Sequence, residues 1–156
     1  MKKLILAFLI AVVVVSVSFS VFAAESGTPM HPIESGVAEV NKSPAKVIAY
    51  YFHGTMRCPT CHKLEQYSKE AIEANFKDAL ASGKLEFKAI NVEYKGNEHY
   101  CNDYQLYTKS LILSLVKDDK EIKWKNMDKI WEHVSNKQRF FDYIKSGVAD
   151  FLREAK

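Results

Sequence analysis

Cysteine is scarce in this chain, with three in 156 residues. Three is an odd number, so any internal pairing leaves at least one sulfur over, as a free thiol, an intermolecular partner or a ligand. Proline is missing altogether after Pro59. No cis-prolyl turn can therefore be built anywhere beyond that point. An excess of either charge is also lacking: 22 basic and 19 acidic side chains give +3. That is no nucleic-acid footprint, and it gives no reason to expect a polyanionic partner. The chain has no internal repeat and no low-complexity tract.

What is present begins with an export signature. Lys2 and Lys3 precede an unbroken apolar run from Leu4 to Val15, and Val21-Phe22-Ala23 offers a cleavage position. Residues 1–23 are expected to be a signal peptide, cut after Ala23, which places the mature protein in the periplasm or another extracytoplasmic space. The alternative is an uncleaved anchor, for which the apolar run is short. No stable membrane insertion is expected after cleavage. The mature chain keeps 20 basic residues against 19 acidic, or +1, and is long enough for one domain with a real core. Residues 24–43, with Gly27, Pro29, Pro32 and Gly36, read as a linker or arm, with Val37–Val40 as a candidate edge strand. The folded domain is expected over 44–156.

One stretch organises that domain. Val47-Ile48-Ala49-Tyr50-Tyr51-Phe52-His53 is apolar on both faces, as in a strand flanked by helices. Gly54 ends it, and Cys58-Pro59-Thr60-Cys61 follows as a helical pattern begins. A strand, a short turn and a C-x-x-C pair at a helix N-terminus make a redox site. The thiolate is the attacking species in disulfide exchange, and a helix N-terminus favours it. Pro59 suits a first helical turn. Arg57 and His62 add positive charge, and Thr60 lies between the thiols. Cys58 is the expected nucleophile and Cys61, one turn further in, the resolving thiol. An inert staple is the bland alternative, but so short a loop removes little unfolded-state entropy.

Apolar positions Leu64, Tyr67, Ala71, Ile72, Phe76, Ala79 and Leu80 predict one helix of about five turns, ended by Ser82-Gly83. Leu85–Val92 reads as a second strand, parallel to the first by the handedness of β-α-β units. A short helix is expected over Asn97–Tyr107, with Tyr100, Tyr104 and Tyr107 on one side. A hairpin should follow, Ser110–Val116 and Glu121–Trp124 about the polar turn Lys117-Asp118-Asp119-Lys120. Met127–Val134 reads as helical. Ser135-Asn136-Lys137-Gln138 fits a capping box for a last helix burying Phe140, Phe141, Ile144, Val148, Phe151 and Leu152.

The order β-α-β-α-β-β-α, with C-x-x-C after the first main strand, resembles the thioredoxin arrangement. More narrowly, Tyr51–Cys61 together with Asp103-Tyr104-Gln105-Leu106-Tyr107 resembles a bacterial exported family named nitrophenyl compound nitroreductase subunit ArsF. The resemblance implies an α/β, thioredoxin-like fold, with a central mixed sheet of about four to five strands and helices on both faces. It implies a thiol–disulfide oxidoreductase or electron carrier acting on a protein thiol or disulfide, with no cofactor. Ser110 falls where most thioredoxins carry a cis-proline, and would line the substrate side. Many thioredoxins also carry a buried acid beneath the pair. The matching position here is about Phe52, and the strand holds no acid. Both departures point away from a general reductant, toward a specialised carrier or metal binding.

Two other chemistries share the same residues. Cys58 and Cys61 are soft ligands for Cu or Zn, and Cys101, His53, His62 and His99 are candidates to complete a site. Cys58-Pro59-Thr60-Cys61-His62 is also a c-type haem attachment string, with Met127 or His133 as axial candidates. Cys101 is otherwise a third redox thiol or a small buried apolar residue. A partner-binding domain with a vestigial pair is the remaining alternative.

Overall fold

The computed structural model describes residues 44–156. The expected signal peptide, the arm and the Val37–Val40 strand lie outside the described residues. The elements run β1 (Lys46–His53), α1 (Pro59–Asn75), α2 (Lys77–Ala81), β2 (Leu85–Asn91), α3 (His99–Asp103), β3 (Ser110–Lys117), β4 (Lys120–Asn126), α4 (Ile130–His133) and α5 (Lys137–Glu154). The strands form an open mixed sheet in the order β2-β1-β3-β4. β2 lies parallel to β1, β3 antiparallel to it, and β4 antiparallel to β3. The architecture is α/β, with the two apolar strands β1 and β3 at the centre of the sheet.

Residues along a strand alternate between faces, and the two faces of this sheet are covered differently. Val47, Ala49 and Tyr51 of β1 and Leu111, Leu113 and Leu115 of β3 join Leu64, Ala71 and Ile72 of α1 and Phe140, Ile144, Val148 and Phe151 of α5 in the main core. Burying each of the larger of these side chains contributes about 1.5–3 kcal/mol. The opposite face holds a smaller cluster of Phe52, Ile112 and Tyr104, with Tyr50 and Tyr100 packed against it. The Phe52 ring lies 5.0 Å from that of Tyr100 and 5.4 Å from that of Tyr104. α3 covers this second face, so both faces carry helix, though unequally.

Several expected boundaries move. The long helix is broken at Phe76, which separates α1 from α2. The Asn75 side-chain amide donates to the Ala71 carbonyl at 2.8 Å. Such local bonds compete with helix continuation. α3 stops at Asp103, and Gln105 takes a left-handed φ of 50°. Tyr107 therefore never shares a helix side with Tyr100 and Tyr104, and it stands 94% exposed. Asn136, not Ser135, caps α5, its Oδ1 accepting from Arg139 N at 3.1 Å. Phe141 and Leu152 are only partly buried. The hairpin turn is a two-residue one, with Asp118 and Asp119 at φ 51° and 58°. Two left-handed residues match the right-handed twist of the flanking strands.

Candidate functional site

Cys58 occupies the N-cap of α1, with extended backbone at φ −82° and ψ 162°. Its Sγ accepts from Cys61 N at 3.2 Å, and Pro59 follows in the first turn. Cys58 and Cys61 are joined by a disulfide, with Cα atoms 5.1 Å apart. That is an ordinary spacing for such a bond. α1 runs 17 residues, and its first turn contains no acidic residue. Nothing in that turn cancels the partial positive charge of the helix end. Cys58 is exposed, whereas Cys61 is buried at 3% exposure. The two cysteines are thus asymmetric, one exposed and the other buried.

The loop that presents the pair is fixed from the side. Thr55 N donates to Glu93 Oε2 at 2.9 Å, and this bond holds the Glu93 carboxyl below the usual carboxylate range. Asn91, buried at the end of β2, donates to Thr55 Oγ1 at 3.1 Å and accepts from Glu93 N at 2.9 Å. The β2 exit therefore anchors the β1–α1 loop. The β3 entrance is also held, since Trp131 Nε1 donates to the Lys109 carbonyl at 2.9 Å. Ser110 pairs with Phe52 across the ladder. It is buried, and its hydroxyl donates to the Thr108 carbonyl at 2.9 Å.

Beneath the pair the structure differs from expectation. Phe52 is not the residue under Cys61, because it faces the α3 side of the sheet. Tyr51 is on the α1 side, fully buried, and its hydroxyl donates to the Cys61 carbonyl at 2.8 Å. Burial pushes the Tyr51 phenol up to about 12, with Arg57 acting against that rise. Arg57 is folded inward, 18% exposed, and ion-paired with Glu65 of α1. Its Nε is buried without a hydrogen-bond partner. Arg57 therefore does not stand in solvent beside Cys58 as a bare positive charge; its guanidinium is shared with a carboxylate. Tyr51 and Glu65 escaped the sequence reading, although two signals were there. Val47, Ala49 and Tyr51 alternate on one strand face, and Cys61 and Glu65 are four apart on one helix.

Pro59, Thr60 and His62 are exposed around the pair. His53 turns to its own loop, with Nδ1 2.9 Å from the Gly54 carbonyl oxygen. His99 is paired with Asp103 at 2.6 Å. Cys101 is free and half-buried, and lines a cavity of about 160 Å³ with His53, Glu93, Thr108 and Lys109. Among the described residues no group of three or more His, Cys, Asp or Glu side chains is gathered as a metal cage. Met127 is buried in the main core, and His133 packs edge-on against Tyr143.

The site is a disulfide at the start of α1, with Tyr51 bonded to the Cys61 carbonyl and Arg57, next to Cys58 in the chain, ion-paired with Glu65. No family model matches the chain, and no curated protein or solved structure matches it either.

Proposed function

We propose that the domain is thioredoxin-like and works as an exported thiol–disulfide oxidoreductase or electron carrier on a protein partner. The observation that carries this reading is the pair itself: an exposed Cys58 at an N-cap, disulfide-bonded to a buried Cys61. The element order, the parallel β1–β2 crossover and the β3–β4 hairpin agree with the thioredoxin resemblance. So does the start of β3 beside the end of β1, where Ser110 would line the partner's path.

In the reducing direction the Cys58 thiolate attacks one sulfur of the partner's disulfide. A mixed disulfide forms, and the other partner sulfur leaves as thiolate and takes a proton. The Cys61 thiolate then attacks Cys58 Sγ, the second partner sulfur leaves, and the intramolecular disulfide closes. The partner gains two electrons and the domain loses two. The oxidising direction runs the same steps backwards. The helix N-terminus favours the thiolate at Cys58 in either case.

Exchange of the wild-type protein with a small dithiol, compared with single-cysteine variants, tests the reading. Cys58→Ser should abolish exchange. Cys61→Ser should accumulate a mixed disulfide that wild type resolves. A wild-type pair that exchanges with no dithiol or disulfide refutes it.

A further inference from the structure

Three loops meet at one end of the sheet. The register sets Phe52 opposite Ser110 and His53 opposite Asn91, so the end of β1, the end of β2 and the start of β3 lie level. The cavity of about 160 Å³ lies there. Phe52, Val92, Cys101, Leu106 and Tyr107 supply its apolar walls, and Phe52, Val92 and Leu106 belong to the smaller core cluster. A cavity of about 150 Å³ with an apolar lining holds benzene. The space therefore matches one aromatic or branched aliphatic side chain. Its charged edge is balanced, since Glu93 accepts from Thr55 N and Lys109 lies close enough to attract the carboxylate. Nothing there calls for a charged ligand.

The surroundings are apolar too. Met56, Tyr94 and Tyr107 are 85%, 64% and 94% exposed, three of the five large apolar side chains left in water among the described residues. Each comes from a different one of the three loops. Tyr107 lines the cavity, Tyr94 follows the lining residue Glu93, and Met56 lies midway between the lining residue Gly54 and Cys58. Exposed apolar side chains grouped in this way mark a contact surface. Gly54 and Cys58 are four residues apart in the chain, so their Cα atoms are separated by about 14 Å at most. An extended partner chain covers that distance in about four residues.

We infer that this cavity takes one uncharged, bulky apolar side chain from an extended segment of the partner polypeptide, about four residues or fewer from the partner's reacting cysteine. The inference rests on the dithiol reading above and names the kind of partner it serves: a polypeptide whose cysteine lies in an exposed apolar stretch. A small molecule would fill the cavity and leave Met56 and Tyr94 in water, whereas a chain lying across the sheet end covers all three exposed side chains. The covalent step is unchanged. Cys58 Sγ bonds to the partner sulfur, the other sulfur of that disulfide leaves as thiolate, and Cys61 then displaces the partner.

Synthetic peptides test it. Each carries one cysteine disulfide-linked to a coloured aromatic thiol, with serine elsewhere and a single phenylalanine placed in turn at each of the four positions on either side. Reduced full-length protein attacks the peptide sulfur and releases the coloured thiolate. Phenylalanine at one or two positions should raise the second-order rate about 10-fold or more over the all-serine peptide, the size expected for burying one ring. Cys101→Met, which lengthens a side chain in the cavity wall, should remove that preference. Wild type alkylated at Cys101 while Cys58 and Cys61 are still bonded, then reduced, should lose it as well, and serves if the methionine variant folds poorly. A gain below about twofold at every position overturns the inference, as does an equal gain at all positions, which is general stickiness. A preference that survives in the methionine variant or the alkylated protein also overturns it. In each of these cases release from a small aromatic disulfide leaves the dithiol reading standing. A wild-type protein that releases no colour from the peptides or from that small disulfide removes the dithiol reading itself.

Discussion

Replacing Tyr51 by Phe removes one oxygen atom from the centre of the molecule and should be felt in two ways. The ring stays, so the packing against α1 and α5 is preserved. What is lost is a buried hydroxyl donating to the Cys61 carbonyl at 2.8 Å, in a side chain with no exposed surface. An ordinary buried hydrogen bond is worth about 1 kcal/mol, and an acceptor left unsatisfied costs up to about 3. The carbonyl lies within α1, where helix geometry supplies it a second, intrahelical donor, so the expected loss is about 1–2 kcal/mol. At this size that corresponds to a fall in Tm of roughly 4–8 °C. The second effect is pH dependence. Burial raises the Tyr51 pKa from 10.0 to about 12, so the fold favours the neutral phenol. A raised folded-state pKa gives stability that is fully present below the unfolded pKa, near 10, and lost as pH climbs through 12. Two pH units at about 1.4 kcal/mol each bound this term at about 3 kcal/mol. Tyr50, Tyr104 and Tyr143 are also raised by burial and lose stability in the same direction. The comparison therefore has to be a difference between variant and wild type. Urea unfolding of the oxidised protein, followed by circular dichroism at neutral pH and near pH 11, is the assay. Tyr51→Phe should be the less stable protein at neutral pH, and the gap should narrow as pH rises. A variant of equal stability at neutral pH, or a gap that widens with pH, would refute the reasoning.

Other perturbations follow from the same contacts. Asn91→Ala removes the amide that joins Thr55 to the β2 exit, so amide exchange at Glu93 should speed up and stability should fall by about 1–3 kcal/mol in chemical denaturation. Phe140→Ala empties a fully buried site beside Tyr67, whose ring stands 5.6 Å away at 73°, and should cost about 3–5 kcal/mol by the same measurement. Tyr104 and Ser114 both donate to Glu121 Oε2, so Tyr104→Phe and Ser114→Ala should not add in a double-mutant cycle; a coupling of about 0.5 kcal/mol or more is expected. Asn136→Ala should lower stability by about 1 kcal/mol, while Ser135→Ala should leave it unchanged, since only Asn136 bonds to the start of α5.

The residues around Cys58 were legible because their signals are local. An apolar run, a glycine, two cysteines three apart and a proline in the first turn constrain only a dozen neighbouring residues. Strand and turn chemistry closed the hairpin at Asp118-Asp119 for the same reason. The expected five-turn helix failed at Phe76 because its apolar spacing continues correctly through the break. Periodicity records which positions are buried, and a side chain can stay against the core while its backbone leaves the helix. Tyr107 misled in the opposite way, since its spacing from Tyr104 was right for a helix that had already ended.

By itself the chain determined the sulfur pair, its place at a helix start and the sequence of strands and helices around it, because each of these is set by residues near one another in the chain. Only the tertiary structure decided what lies under the pair. Alternation says that Tyr51 and Phe52 face opposite sides of β1, but not which side α1 covers; the crossover to β2 settles that, and it puts Tyr51 beneath Cys61. The same packing folds Arg57 inward onto Glu65, eight residues away, turning an expected free positive charge into half of a partly buried ion pair.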